Sequence, residues 1–118
     1  MKILERYYPE NLVFSGATKI RAENLTSRRS DRPVPNQYNI YIGCFERRFQ
    51  SYSATCLCYS DRVLTVYPEA FGCSQTTSKY AAQWLEEYCS FTPAEIAEVK
   101  KLAKSVDFGR DCPLYIER

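Results

Sequence analysis

The sequence predicts an α+β protein in which an antiparallel three- to four-stranded sheet is packed on one face by C-terminal helices. Two patterns predict this class: apolar residues alternate through the middle of the chain, and they recur at helical spacing in its last third. Length and composition indicate the number of domains. A chain of 118 residues with 45% hydrophobic and 25% charged side chains suits one globular domain spanning 1–118.

The start of the chain has the weakest pattern. We interpret Asn11 to Phe14 as a strand and Ala17 to Leu25 as a helix, although Ile20 and Leu25 give only a sparse period. The segment from Arg28 to Asn36 contains two prolines and four charges. Since proline lacks an N–H and turn-forming residues cluster here, the segment is expected to be an exposed loop.

Alternation then predicts a meander of about three antiparallel strands. The strands are expected at Tyr38 to Ile42, Phe49 to Tyr59 and Val63 to Tyr67. Ser60-Asp61-Arg62 is predicted to be a tight turn between the last two. Pro68 cannot donate to a ladder and therefore ends the meander.

Two helices are predicted to follow. The first begins near Thr76-Thr77-Ser78 and carries Trp84 on an apolar face, where we expect it to be buried beside Leu85 and Ile96. The apolar faces of the two helices comprise Ala81, Trp84, Leu85 and Tyr88 in the first and Ile96, Val99, Leu102, Ala103 and Val106 in the second.

The second helix has the clearest boundaries. Thr92 as N-cap, Pro93 at the first helical position and Glu95 at the third position form a capping box. Phe91 precedes the cap and is expected to contact Ile96 as a hydrophobic staple. After this helix, Leu114 to Ile116 is interpreted as a short edge strand.

Common catalytic arrangements are excluded by composition. The chain contains no histidine, so it has neither a Ser-His nor a Cys-His pair. The acidic residues of the helical region are expected on solvent faces: Glu86, Glu87, Glu95 and Glu98. We therefore expect neither an enzyme nor a bound cofactor.

Six cysteines leave a thiol or metal function as an alternative. Cys56 and Cys58 would share one strand face, but no spacing in the chain matches the paired C-x-x-C of structural zinc sites. The start of the sequence lacks the apolar stretch of an export signal, which favours a reducing cytoplasm and no membrane partner. All six thiols are predicted to be reduced, with the pair serving as small apolar side chains.

Two nucleotide-related patterns have alternative interpretations. Thr76-Thr77-Ser78-Lys79 offers the hydroxyls, N–H groups and cation that bind an anion at a helix start, yet the same residues are ordinary helix caps. The two helices also have the outline of a helix-turn-helix. Glu95 and Glu98 would repel phosphates there, which favours helices that cover the sheet.

Positive charge is concentrated in the first half of the chain. Residues 1–62 carry 10 Lys and Arg against 6 Asp and Glu, whereas 63–118 carry 6 against 8. The densest cluster is predicted to be the partner-binding surface, because arginine binds both carboxylate and phosphate, and consists of Arg28, Arg29, Arg32, Arg47 and Arg48. The alternative is that these residues only solubilise the surface.

One stretch resembles a known group of proteins. It runs from Ser51-Tyr52-Ser53 through Val63-Leu64-Thr65-Val66 to Thr76-Thr77-Ser78-Lys79-Tyr80, and covers about 30 residues. This pattern is similar to short uncharacterised proteins of bacteriophages and mobile elements, in which a strand hairpin leads into a Thr-Thr-Ser-Lys-His helix start. This chain departs from the pattern by having Tyr80 in place of the histidine.

The resemblance implies a function in a bacteriophage setting. Small phage proteins without active sites often bind and inhibit a host protein or nucleoprotein, and anti-CRISPR proteins, which bind CRISPR effectors, are one such group. The implied location is the cytoplasm of a host bacterium. The alternative is a nucleic-acid-binding regulatory protein that uses the same arginines on phosphates.

Overall fold

The computed structural model describes residues 1–5, 19–110 and 113–118, which form seven strands and two helices. The strands make one antiparallel sheet in the order β1-β7-β6-β5-β4-β3-β2. In chain order the elements are β1 (Lys2–Leu4), β2 (Ile20–Thr26), β3 (Pro33–Ile42), β4 (Glu46–Ser51), β5 (Ala54–Ser60), β6 (Val63–Val66), α1 (Gln75–Cys89), α2 (Pro93–Lys104) and β7 (Leu114–Glu117).

The α+β class and the antiparallel sheet are confirmed, but the sheet is larger than the predicted three to four strands. The helix predicted at Ala17 to Leu25 is wrong over Ile20 to Leu25, which belongs to β2. There, hairpin pairing with β3 decides the structure: side chains alternate between the two faces, and Leu25 is buried at a bulge. The strand predicted at Asn11 to Phe14 lies outside the described residues.

The predicted loop is shorter than expected. A backbone bond from Asp31 to Ser27 (2.8 Å) and one from Ser27 to Arg32 (2.9 Å) close a turn over 27–32, and β3 begins directly afterwards at Pro33. Pairing of β3 with β4 starts only at Gln37, so the proline-rich start of β3 has β2 on one side alone. A strand tolerates proline at such an edge.

Two further strand predictions need correction. The segment from Phe49 to Tyr59 is two strands, because the chain turns at Tyr52, whose φ is 56°. The segment at Leu114 to Ile116 is a strand, but it lies inside the sheet between β1 and β6 instead of at its edge. By contrast, the tight turn after Ser60 is confirmed, with Asp61 and Arg62 both at positive φ as a two-residue hairpin requires.

Both helices pack on one face of the sheet. Cross-strand pairing places one residue from each of five neighbouring strands side by side on the same face of the sheet. These residues are Asn39, Phe49, Leu57, Val66 and Leu114. On this row Trp84 of α1 donates from Nε1 to Asn39 Oδ1 (2.7 Å) and lies 6.2 Å from the Phe49 ring. In the connection before α2, the Phe91 ring meets Tyr59 edge-on at 5.5 Å. Trp84, Leu85 and Ile96 are all buried, as predicted.

Polar side chains fix α1 to the β2–β3 hairpin. Gln37 donates to Ser51 Oγ (3.0 Å), which is in turn 2.9 Å from Thr77 Oγ1 in α1. Further along α1, Gln83 donates to the Thr26 carbonyl (2.7 Å). Because these groups are mostly buried, each bond compensates the desolvation of its partners. The hairpin and α1 therefore have one defined relative position.

The helix ends agree with local sequence. The capping box of α2 is confirmed, with Thr92 Oγ1 accepting from the Glu95 N–H and Glu95 accepting from the Thr92 N–H. The first helix begins slightly earlier than predicted, at Gln75, because Ser74 is the N-cap and accepts from the Thr77 N–H. Neither helix in the described ranges has the length and apolar character that a membrane crossing requires.

Arg118 fastens the turn between the helices to β7. Its guanidinium binds both carboxylate oxygens of Glu95 (2.9 Å each), and it also donates to the carbonyls of Cys89 and Ser90 (2.8 Å each). The same group lies 4.2 Å from the centre of the Phe91 ring. This paired geometry lowers the pKa of Glu95 from 4.5 to about 2.

Replacing Trp84 with alanine is expected to lower the free energy of unfolding by about 3–5 kcal/mol, because it leaves a cavity and an unpaired Asn39 amide. Urea denaturation followed by circular dichroism measures the change. As the chain has one tryptophan, the parent's emission should be blue-shifted when folded and shift to red on unfolding. A Trp84→Ala variant as stable as the parent would contradict the buried position.

Stability should fall as pH decreases from about 4.5 towards 2, partly through Glu95. Its pKa is lower in the folded chain, so its contribution is complete above its unfolded value and is lost as the carboxylate is protonated. Glu95→Gln keeps an oxygen for the capping box and removes the titration. The variant should therefore show a shallower acid dependence than the parent in urea denaturation at a series of pH values, and an identical slope would disprove the assignment.

Candidate functional site

Arg28 is neutralised within the chain. Its guanidinium contacts Glu86 and Glu87 of α1, each at 3.1 Å, and its side chain is about half exposed. The hydrogen bond with Glu87 raises the pKa of Arg28, so the group is charged at every ordinary pH. Exposed pairs of this kind add little stability. Their effect is to hold the 27–32 turn against α1.

The other predicted arginines are distributed over different surfaces. Arg47 and Arg48 are consecutive in a strand and thus point to opposite faces. Arg47 donates to the Tyr88 carbonyl on the helix face, whereas Arg48 pairs with Glu46 at 2.9 Å on the other face. Arg29 is exposed beside Arg28 at the turn. The five arginines therefore do not form one continuous patch.

A groove of about 450 Å³ lies where the 27–32 turn meets both helices. Its apolar lining comes from Ala82, Pro93, Ile96 and Ala97. Four basic side chains and one carboxylate also line it: Arg28, Arg29, Lys79, Lys100 and Glu86. Two predicted arginines thus meet two lysines from separate helices.

Three of these cations differ from Arg28 in their ion pairing. Within the described ranges, no ion pair involves Arg29, Lys79 or Lys100. Lys79 lies 5.3 Å from the Tyr80 ring, a contact that leaves its charge accessible. We refer to Arg29, Lys79 and Lys100, with the apolar lining between them, as the basic groove.

A second pocket of about 490 Å³ continues from the basic groove to the start of α1. It shares Lys79 and Lys100 with the groove and adds Gly72, Cys73 and Ser78. The first turn of α1 has no acidic residue, so the positive end of the helix dipole is not offset there. Positive charge therefore extends over both pockets.

Sequence reasoning missed Lys100 and gave Lys79 only a role in an anion-binding helix start. The signal for Lys100 was present, because Pro93, Ile96 and Lys100 recur at helical spacing and so share one face of α2. The sequence alone does not indicate that the 27–32 turn lies against that face. The capping role predicted for Thr76 to Ser78 is wrong: these residues lie inside α1, and Ser74 is the N-cap that accepts from the Thr77 N–H.

Three cysteines in the part of the chain that the structure describes are buried as small apolar residues: Cys56, Cys58 and Cys89. All five cysteines there are free, and no group of three metal-ligating side chains occurs within those ranges. Burial raises the pKa of Cys56 to about 11 and that of Cys58 and Cys89 to about 12. These thiols are thus poor nucleophiles at neutral pH. Cys112, also predicted to be reduced, lies outside the described residues.

Comparison with known proteins gives no relative to guide the assignment. No protein-family model matches the sequence, and no curated protein or solved structure matches it either. The resemblance at Thr76 to Tyr80 accordingly stays a prediction.

Thiol accessibility should divide the cysteines into two classes. Cys44 and Cys73 are exposed and should be alkylated rapidly by iodoacetamide in the native protein, while Cys56, Cys58 and Cys89 should react only after unfolding. Peptide mass spectrometry after a short native exposure measures this, with a urea-treated sample as the control. Rapid native modification of Cys56 or Cys58 would show that the sheet is open there.

Proposed function

We propose that this protein is a bacteriophage or mobile-element accessory protein that binds and inhibits a host protein or nucleoprotein in the bacterial cytoplasm, as anti-CRISPR proteins do. The observation that carries the binding part of this proposal is the basic groove, in which three cations without an ion-pair partner in the described ranges surround an apolar lining. The bacteriophage setting and the inhibitory outcome rest on the resemblance at Thr76 to Tyr80.

The composition of the groove favours a protein partner with an acidic segment. Apolar area at Ala82, Ile96 and Ala97 can bury aliphatic or aromatic side chains, and the surrounding cations can pair with carboxylates. The ion pairs between Arg28 and α1 support the same function, since a turn that is already held loses less conformational entropy on binding.

The second pocket favours an alternative function, a nucleic-acid-binding regulatory protein. Lys79 and Lys100 extend positive charge from the groove to the start of α1, and such a path can follow a phosphate backbone. The two functions differ in their salt dependence. Phosphate contacts release condensed counterions, so affinity for DNA or RNA should fall steeply as salt increases.

The test begins with the tagged protein as bait in bacterial lysate and quantitative mass spectrometry of what it retains. The retained partner is then titrated against the variant Arg29→Glu/Lys79→Glu/Lys100→Glu, which reverses the charge at the three basic positions of the groove. We expect the dissociation constant to rise by about 10- to 100-fold, mainly through slower association, because three attractive charges become repulsive. Duplex and single-stranded DNA and RNA are titrated in parallel at low salt.

A matched control separates the groove from net charge. Lys101→Glu/Lys104→Glu/Arg110→Glu makes the same change in charge at exposed positions that do not line the groove. Circular dichroism checks that both variants fold. If the groove variant binds like the control, the proposed surface is wrong, and if only the nucleic acids bind, the alternative function replaces the first.

A further inference from the structure

The outer edge of β2, the last strand in the order of the described sheet, has features of a pairing surface. In the described part of the chain β2 pairs on one side only, with β3, and it forms the end of the strand order. It is seven residues long and contains no proline, and Ile20 is 66% exposed. The opposite edge, β1, has only three residues. Long open edges readily accept another strand, and short ones do not.

One backbone bond determines which residues of β2 face outward. Gly43 N–H donates to the Lys19 carbonyl (2.8 Å), so Lys19 and Gly43 form a hydrogen-bonded pair of the β2–β3 ladder. Since these pairs alternate along antiparallel strands, Arg21 and Glu23 also direct their backbone groups to β3. Ile20, Ala22 and Asn24 therefore direct theirs away from the sheet.

The side chains at this edge have alternating charge. Arg21 and Glu23 lie on the helix face, opposite Tyr41 and Asn39 of β3, and both are exposed. The Arg21 guanidinium is 4.6 Å from the centre of the Tyr41 ring, and Glu23 accepts from the Asn39 amide at 3.4 Å. These contacts hold one positive and one negative charge two residues apart along the edge.

We propose that β2 pairs antiparallel with β2 of a second copy of this chain, about a two-fold axis at Ala22. In this register Ala22 forms a hydrogen-bonded pair with its own counterpart, and Ile20 forms one with Asn24 of the partner subunit. Arg21 then lies opposite Glu23 of the partner subunit, and symmetry repeats the pair. These charged pairs are non-hydrogen-bonded positions, where facing side chains are closest.

The charge pattern selects this register over its neighbours. An axis at Arg21 would place two arginines directly opposite each other, and an axis at Glu23 would oppose two carboxylates. Like charges at facing positions destabilise an antiparallel pair, whereas opposite charges stabilise it. The axis at Ala22 gives two complementary pairs, and the sheets of both copies become continuous. The inference is independent of the basic groove, which lies at the turn after β2 and on the helices.

Sedimentation velocity over a concentration series tests the proposal by charge exchange. The parent should form a dimer, and Arg21→Glu or Glu23→Arg should each raise the dimer dissociation constant by at least about tenfold, because both complementary pairs become like-charged. An equimolar mixture of the two variants should form a heterodimer, since every facing pair is again opposite in charge. The double exchange in one chain should restore the homodimer for the same reason.

A backbone variant provides a second measurement. Ala22→Pro removes an N–H that points away from β3, so it should abolish the dimer and preserve the β2–β3 ladder, while Ala22→Thr keeps the N–H and should keep the dimer. If Ala22→Pro does not fold, the charge exchange decides. A parent that is monomeric at every concentration overturns the proposal. This holds even if the β2 edge is found to pair with a strand of a different protein. A dimer insensitive to the charge exchange overturns it as well.

Discussion

The position of α1 on the sheet is anchored by a buried hydrogen bond from Trp84 to Asn39. Both side chains have no exposed surface, so loss of the bond would leave a buried amide oxygen without its donor. Together with the bond from Gln83 to the Thr26 carbonyl, it fixes the rotation of α1 about its axis. As a result, Glu86 and Glu87 reach the turn that carries Arg28, while Lys79 and Gln83 face the space in front of it. The geometry of the groove is therefore a consequence of the core.

Sequence reasoning succeeded where structure is determined locally. The capping box of α2 and the Asp61 turn involve residues only a few positions apart, so the residues themselves specify the conformation. It failed at β2, where Ala, Glu and Asn have low strand propensity and pairing with β3 overrides that preference. It also counted too few strands. β1 has only three residues, and its pairing with β7 joins segments far apart in the sequence, which no local pattern reveals.

The candidate site was predictable only in part, because charge density in a sequence does not specify which charges remain available. Arg28 and Arg48 belong to the densest basic cluster, yet each is paired with glutamate in the fold. Lys100, from the acidic half of the chain, has no ion-pair partner among the described residues and lines the groove. Which surface charges form ion pairs depends on their distances in the folded chain. In this protein those distances follow from how α1 and the β2–β3 hairpin are fixed together.

The pairing of β1 with β7 has a consequence for how the chain reaches its fold during translation. Lys2 pairs with Glu117, so among the described strands β1 acquires its partner only when the residues of β7 have left the ribosome. Until then the outer edge of β6 is unoccupied as well, since β7 lies between β6 and β1. Contacts between such distant segments slow folding and leave strand edges open to aggregation. The growing chain thus passes through a stage at which molecular chaperones can bind it, and that stage ends when β7 inserts.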